Sequence, residues 1–192
     1  VELHHIPHAV DNHIFRKVPP QDLIEFKKEY FGKEDKFTVF WNNRNARRKQ
    51  SGSVIWWFSE FLEKVGKENA RLVMHTDVKD VHGQDLVCLI ERLGLTNQEV
   101  VFSQQKVDPA ILSMLYNIAD CTINVADAEG FGLGTLESLS CETPIIVTMT
   151  GGLQEQVTNG EDWFGVGIEP ASKAIIGSQN VQYIYEDRVS KE

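Results

Sequence analysis

The sequence predicts an α/β fold: a doubly wound, mostly parallel sheet of about six strands with helices on both faces. Three observations lead there. Short apolar runs of strand length alternate with longer segments whose apolar residues recur at helical spacing. A glycine-rich turn lies between one such strand and the helix that follows it. At 192 residues, 42% apolar and 24% charged, the chain has the size and composition of one ordinary globular domain with its own core.

Strands are expected at Phe37–Trp41, Leu72–His75, Val100–Phe102, Cys121–Ala126, Pro144–Thr148 and Phe164–Ile168. Helices are expected at Val54–Lys64, Asp85–Leu93, Ala110–Ile118, Leu133–Ser140 and around Leu153–Thr158. The first shows Trp57, Phe58, Phe61, Leu62 and Val65 on one face, and Asp108-Pro109 suits the start of the third. Parallel strands joined through helices make right-handed crossovers, so the set fits a Rossmann-like order 3-2-1-4-5-6. In that order the first and fourth strands are neighbours, and ligands bind at their carboxyl ends. Residues 1–20 hold four of the six histidines and the Pro19-Pro20 pair and read as a linker; residues 21–170 form the domain. Residues 171–192 read as an incomplete C-terminal segment with a weak strand at Val181–Tyr185.

A net charge of −9 argues against nucleic acid as a partner. Arg44, Arg47, Arg48 and Lys49 form a confined basic cluster, which suits a small anionic ligand; Arg47 and Arg48 read as surface charges within it. Apolar runs such as Val54–Phe58 are far too short to span a bilayer. The beginning of the chain lacks the basic and apolar regions of a signal peptide, which a partial sequence could hide. Cys88, Cys121 and Cys141 read as buried free thiols of a reducing compartment, here the cytoplasm, and none has metal-ligand spacing. His4, His5, His8 and His13 are more simply a crowded linker than a metal site, and His75 is structural at a strand end. Trp56, Trp57 and Trp163 read as packing residues.

The most informative run is Glu129-Gly130-Phe131-Gly132-Leu133-Gly134-Thr135-Leu136-Glu137. A glycine turn that opens a helix presents free backbone N–H groups at the positive end of the helix dipole, where phosphates bind. Glu129 and Glu137 flank it, and carboxylates suit hydroxyls. Amides for phosphate beside carboxylates for hydroxyls fit a sugar joined to a nucleoside diphosphate. The run Gly130-x-Gly132-x-x-Thr135 also approaches a dinucleotide fingerprint, but that motif follows the first strand of its sheet, not the fourth.

Glu129-Gly-Phe-Gly-Leu…Glu137, Thr143-Pro144-Ile145-Ile146 and Gly151-Gly152-Leu153-Gln154-Glu155 together resemble the donor-binding domain of GT-B retaining glycosyltransferases of the glycosyltransferase 4 type. Ile6-Pro7-His8-Ala9-Val10-Asp11 with Phe15 is similar to the family's entry segment, and Arg44 with Lys49 to its Arg-x4-Lys phosphate pair. Leu112-x2-Leu115-Tyr116-x2-Ala119-Asp120 matches the helix and strand before the glycine turn. The resemblance covers roughly residues 5–168. Gln50 and Glu142 depart from it, since relatives usually carry Gly at both places; what they put in question is local backbone shape.

The resemblance implies one half of a GT-B fold, with the acceptor held by a domain outside this sequence. It implies transfer of a hexose from GDP or UDP, with retention, to a glycan, lipid or small-molecule acceptor, and peripheral membrane contact through that other domain. The chain has no Asp-x-Asp motif, so no metal or other cofactor is expected; Arg44 and Lys49 would supply the positive charge instead. Asn43, Gly130, Phe131, Gly132, Leu133 and Thr135 would line the donor site, with Glu137 on the ribose and Glu129 on the hexose. The nucleobase is expected against Ser103–Val107. Plainer readings stand beside these: Arg44–Lys49 as a solvated loop, Glu137 as a helix cap, Glu129 as a loop acid, Thr135 as packing, and Asn42 and Asn43 as turn formers. A non-catalytic nucleotide-sugar binding module and a sugar-nucleotide epimerase are the alternative functions.

Overall fold

A computed structural model describes residues 2–4, 6–32 and 35–191, which leaves His5 of the histidine group outside it. Six parallel strands form the central sheet: β1 (Phe37–Asn42), β2 (Ala70–His75), β3 (Val100–Ser103), β4 (Cys121–Asn124), β5 (Ile145–Thr148) and β6 (Gly165–Ile168). Their spatial order is β3-β2-β1-β4-β5-β6, as expected. β1 therefore pairs with β4, Val39 opposite Cys121 and Phe40 opposite Thr122, which makes the switch in strand order.

Alternation along the strands divides the core. Val39, Trp41, Leu72 and Met74 face α2 (Ser51–Val65) and α3 (Leu86–Arg92), meeting Val54, Ile55, Phe58, Leu62 and Leu86. Phe40 and Val73 face the other way, onto Leu115 and Tyr116 of α4 (Pro109–Ile118) and Leu23 and Phe31 of α1 (Pro20–Phe31). Each fully buried side chain of this size stabilises the fold by roughly 1.5–3 kcal/mol. The cap on α4 is as expected, with Asp108 accepting from Ala110 N at 2.9 Å and Pro109 in the first turn. α5 (Leu133–Ser140) and α6 (Leu153–Val157) complete the helices.

Two elements were not legible. α1 begins at Pro20, the second proline of the expected linker; proline at the first helical position forfeits no hydrogen bond. The stretch before it is tied down on α4: Asn117 accepts from Val18 N at 2.8 Å and donates to the Arg16 carbonyl at 2.9 Å. The other is an antiparallel hairpin of β7 (Ser172–Ile176) and β8 (Ile184–Arg188). The strand expected at Val181–Tyr185 starts later and runs through Glu186-Asp187-Arg188, charges that find partners in the domain.

Some burial expectations are corrected. Cys88 is exposed on the outer side of α3, while Cys121 and Cys141 are buried free thiols. The buried stripe of α2 is Val54, Ile55, Phe58 and Leu62, so Phe61 and Val65 fall at its exposed edge. Trp56 is half exposed, beneath the Lys191 ammonium, and Trp163 is more exposed still, in the turn closed by the Thr158–Trp163 bridge. Trp57 is partly buried against the core.

The two departures from glycine keep a glycine-like backbone. Gln50 and Glu142 have φ of 57° and 59°. A left-handed conformation costs a residue with a β-carbon about 1–2 kcal/mol. Glu142 is exposed, and Glu142→Gly is expected to raise stability by about 0.5–1 kcal/mol, read as a higher thermal midpoint. Gln50→Gly is expected to give no such gain. Its side-chain amide donates to both carboxylate oxygens of Asp127, at 2.8 Å each, and those bonds would be lost.

Candidate functional site

The site grows from the carboxyl ends of β1 and β4. Beyond Asn42 the chain runs through Asn43, Arg44 and Asn45 into a 3-10 turn, Arg47–Lys49. Asn45 anchors that loop from a buried position: its amide donates to the Gln84 carbonyl at 2.7 Å, and its oxygen accepts from the Ser51 hydroxyl at 2.7 Å. So held, the turn directs the Lys49 ammonium at the Glu129 carboxylate, with which it forms an ion pair; the two side chains are 8% and 12% exposed. Burial lowers the Lys49 pKa, and the bond to Glu129 opposes that shift.

Beyond Asn124 the chain enters the glycine turn, where Gly132 takes a φ of 88° and opens α5. The Gly151-Gly152 pair shapes this turn from behind. Gly152 N donates to the Gly130 carbonyl at 3.1 Å, and a β-carbon on Gly151 would strike the Glu129 carbonyl. Gln156 adds a bond from its amide to the Phe131 carbonyl at 2.6 Å.

These segments enclose a cleft of about 320 Å³ lined by His8, Asn43, Lys49, Asn124, Glu129, Phe131 and Gly132–Gly134. Asn43, Lys49, Glu129, Phe131, Gly132 and Leu133, taken from the sequence, thus come together, and Gly130 lies in the same turn. His8, expected only as part of a linker, lies edge-on to Phe131 with ring centroids 5.1 Å apart. Asn124 was missed altogether. It is 3% exposed, and its Oδ1 is buried without a hydrogen-bond partner among the described residues.

The remaining candidates lie elsewhere. Arg44 points outward: its guanidinium donates to Asp80 at 2.6 and 3.1 Å and lies 2.9 Å from His82 Nδ1. That contact with Arg44 is the main reason the Asp80 carboxyl sits well below the ordinary carboxylate range. The Thr135 hydroxyl is engaged inside the turn, 2.7 Å from the Gly132 carbonyl and 2.6 Å from Gln156 Oε1. Ser103 is buried, its hydroxyl 2.8 Å from His75 Nδ1, and Val107 is half-buried in the following loop; neither lines the cleft. Glu137 lies one turn into α5 and accepts from the Tyr116 hydroxyl at 2.7 Å. Burial raises its pKa, and the Tyr116 bond opposes the rise.

Arg47 is no free surface charge. It makes a two-pronged bond to Glu186 of β8 at 2.9 and 2.6 Å, while Arg188 bridges Glu186 and Asp127. Both carboxylates are 1% exposed. Asp127 N also donates to the Arg48 carbonyl at 2.7 Å, so the hairpin, the β4 loop and the Lys49 turn form one connected unit. Among the described residues, no three His, Cys, Asp or Glu side chains gather as metal ligands do, and no helix is long and apolar enough to cross a membrane.

A parallel sheet with its cleft at the switch in strand order, beneath a glycine turn and a helix N-terminus, is the Rossmann-like architecture of GT-B glycosyltransferase structures. The chain belongs to the family Glycosyl transferases group 1, which it matches over residues 23–188. It is 23% identical over 184 residues to N-acetyl-alpha-D-glucosaminyl L-malate synthase of Bacillus anthracis, covering 95% of this chain and 44% of that protein. Over 175 residues it is 36% identical to D-inositol 3-phosphate glycosyltransferase of Acidothermus cellulolyticus, covering 88% and 38%. Its fold superposes on Anabaena Alr3699/HepE, solved in complex with UDP-glucose, with a TM-score of 0.69 at 21% identity over 85% and 43% of the two chains. The chain therefore spans less than half the length of these curated relatives.

Proposed function

We propose that this chain is the C-terminal, donor-binding half of a retaining glycosyltransferase of the glycosyltransferase 4 type, acting without a metal. One observation carries the reading: Lys49, Glu129 and the amides of the Gly132–Gly134 turn share one cleft at the switch in strand order. A diphosphate seated there meets a lysine ammonium and backbone donors at the positive end of a helix. Both stabilise the charge that develops on a leaving phosphate and do so in place, as a preorganised donor set. The Lys49–Glu129 pair holds both groups while no anion is bound. When the phosphates take the ammonium, Glu129 is released toward the hexose hydroxyls, where its charge also steadies a cationic sugar ring. The unpartnered Asn124 Oδ1 is an acceptor for a sugar hydroxyl, which would remove the cost of about 1–3 kcal/mol that an unmet buried polar atom carries.

Arg44 has a secondary role in this scheme. Held by Asp80, its charge is matched, and it reaches the phosphates only by exchanging that partner. Ser103–Val107 offers backbone groups to the nucleobase at the same sheet edge. The likeness to Alr3699/HepE favours a uridine nucleotide over a guanosine one, and the acceptor, a glycan, lipid or small molecule, is held by another domain. We place the enzyme in the cytoplasm, with any membrane contact made through that domain.

Calorimetry of the 192-residue chain with UDP- and GDP-hexoses tests the binding reading, and the expected result is binding that is unchanged in EDTA. The intact protein is expected to transfer the hexose with its anomeric configuration preserved, as followed by NMR of the product. Binding without transfer would make the chain a sugar-nucleotide receptor, and conversion of donor without acceptor an epimerase. Strict Mg²⁺ dependence would remove the metal-free scheme.

A further inference from the structure

Tyr116 sits where three elements meet, and the cleft description leaves it without a role. Its ring is wholly buried on the inner side of α4, edge-on to Phe40 and Phe15 with centroids 5.0 and 6.2 Å away. Its hydroxyl is not idle. It accepts from the Asn42 amide of β1 at 2.8 Å and donates to Glu137 Oε2 of α5 at 2.7 Å. The amide nitrogen of Asn42 only donates and the ionised carboxylate only accepts, so the phenolic proton is directed at Glu137. Gly134 permits this convergence, because a β-carbon there would stand 3.2 Å from the Tyr116 oxygen and 3.4 Å from the Asn42 carbonyl. The Thr143 hydroxyl, bonded to the Tyr116 carbonyl at 2.8 Å, fixes the backbone from the far side. Glu137 Oε1 carries no hydrogen bond among the described residues.

We propose that Tyr116 is a positioning residue: its hydroxyl, oriented by Asn42, holds one oxygen of Glu137 so that the carboxylate meets both ribose hydroxyls of a bound nucleotide. The inference rests on the reading of Glu137 as the ribose acceptor. A glutamate left to itself samples many rotamers and loses that freedom when a ligand binds. A bond made before the ligand arrives removes most of that cost, which is the gain of preorganisation. The same bond opposes the rise in pKa that burial causes, and so favours the ionised form that two hydroxyl donors require.

The test compares UDP with 2′,3′-dideoxy-UDP, and GDP with its dideoxy form, by calorimetry on the 192-residue chain. Wild type is expected to prefer the ribose nucleotide. Tyr116→Phe keeps the ring and is expected to weaken ribose nucleotide binding about tenfold, the usual scale of one hydrogen bond to a charged group, while dideoxy binding stays unchanged. In a Glu137→Ala background the same substitution is expected to change neither. Asn42→Leu, which leaves Tyr116 in place, is expected to erode the ribose preference in the same direction. Equal weakening of both nucleotides by Tyr116→Phe, or no change in either, overturns the proposal. If Tyr116→Phe does not fold, an unaltered ribose preference in Asn42→Leu overturns it. A wild type that binds both nucleotides equally removes Glu137 from the ribose, and the proposal with it. A wild type that binds no nucleotide removes the donor site itself.

Discussion

Lys49→Ala is expected to lower hexose transfer by the intact enzyme by about 10²–10³-fold, the usual loss when one preorganised donor is removed from a developing charge. From the sequence, Arg44→Ala shares that expectation. The structure separates the two, because Lys49 faces Glu129 inside the cleft while Arg44 is bound to Asp80 outside it. A much smaller loss is therefore expected for Arg44→Ala, and comparison of kcat in the two variants checks the ranking. Lys49→Ala also strands the Glu129 carboxylate, 12% exposed, and is expected to destabilise the fold by about 1–3 kcal/mol. The double variant Lys49→Ala/Glu129→Ala restores that stability in denaturant unfolding but not transfer, which distinguishes a lost charge from a damaged fold. Wild-type kcat in Lys49→Ala would remove the phosphate role.

Arg188→Ala is expected to have the largest effect on stability. Asp127 and Glu186 are each 1% exposed, and Arg188 bonds to both. Without it Arg47 is left to face two buried carboxylates, and breaking such a pair costs about 3–5 kcal/mol. For a domain of this length that corresponds to a fall of roughly 6–20 °C in thermal midpoint. Arg188→Lys is expected to recover only part, since one ammonium cannot reproduce a planar fork between two carboxylates. The triple replacement Asp127→Asn/Glu186→Gln/Arg188→Met is expected to lie closer to wild type, because no buried carboxylate is left uncompensated and Arg47, with a side chain 55% exposed, keeps its charge in contact with solvent. A midpoint for Arg188→Ala within about 2 °C of wild type would show that the hairpin is not a structural part of this unit.

The strand order and the cleft's position were legible for a simple reason. Parallel strands carry continuous apolar runs, and a Gly-rich turn after the fourth of them has few structural uses. What escaped were features held by distant partners. α1 is polar on average and hides behind two prolines. β8 carries Glu186, Asp187 and Arg188, which look solvated until their partners at 47, 127 and 150 are known. In the sequence Tyr116 was legible only as part of a motif; a buried phenol usually finds a partner, and only the fold names Glu137 and Asn42 as its partners.

Local chemistry, then, was determined by the sequence alone: which segments are the strands of the central sheet, where the amides for an anion are exposed, and which carboxylates flank them. These follow from periodicity and from the backbone freedom of glycine, both short-range. Direction was decided by the tertiary structure. Two basic residues five positions apart turn opposite ways, Lys49 to Glu129 and Arg44 to Asp80, because an ionised side chain goes to whichever opposite charge folding brings near it. Such charges lie about 80 and 36 residues away along the chain, beyond the reach of any local pattern.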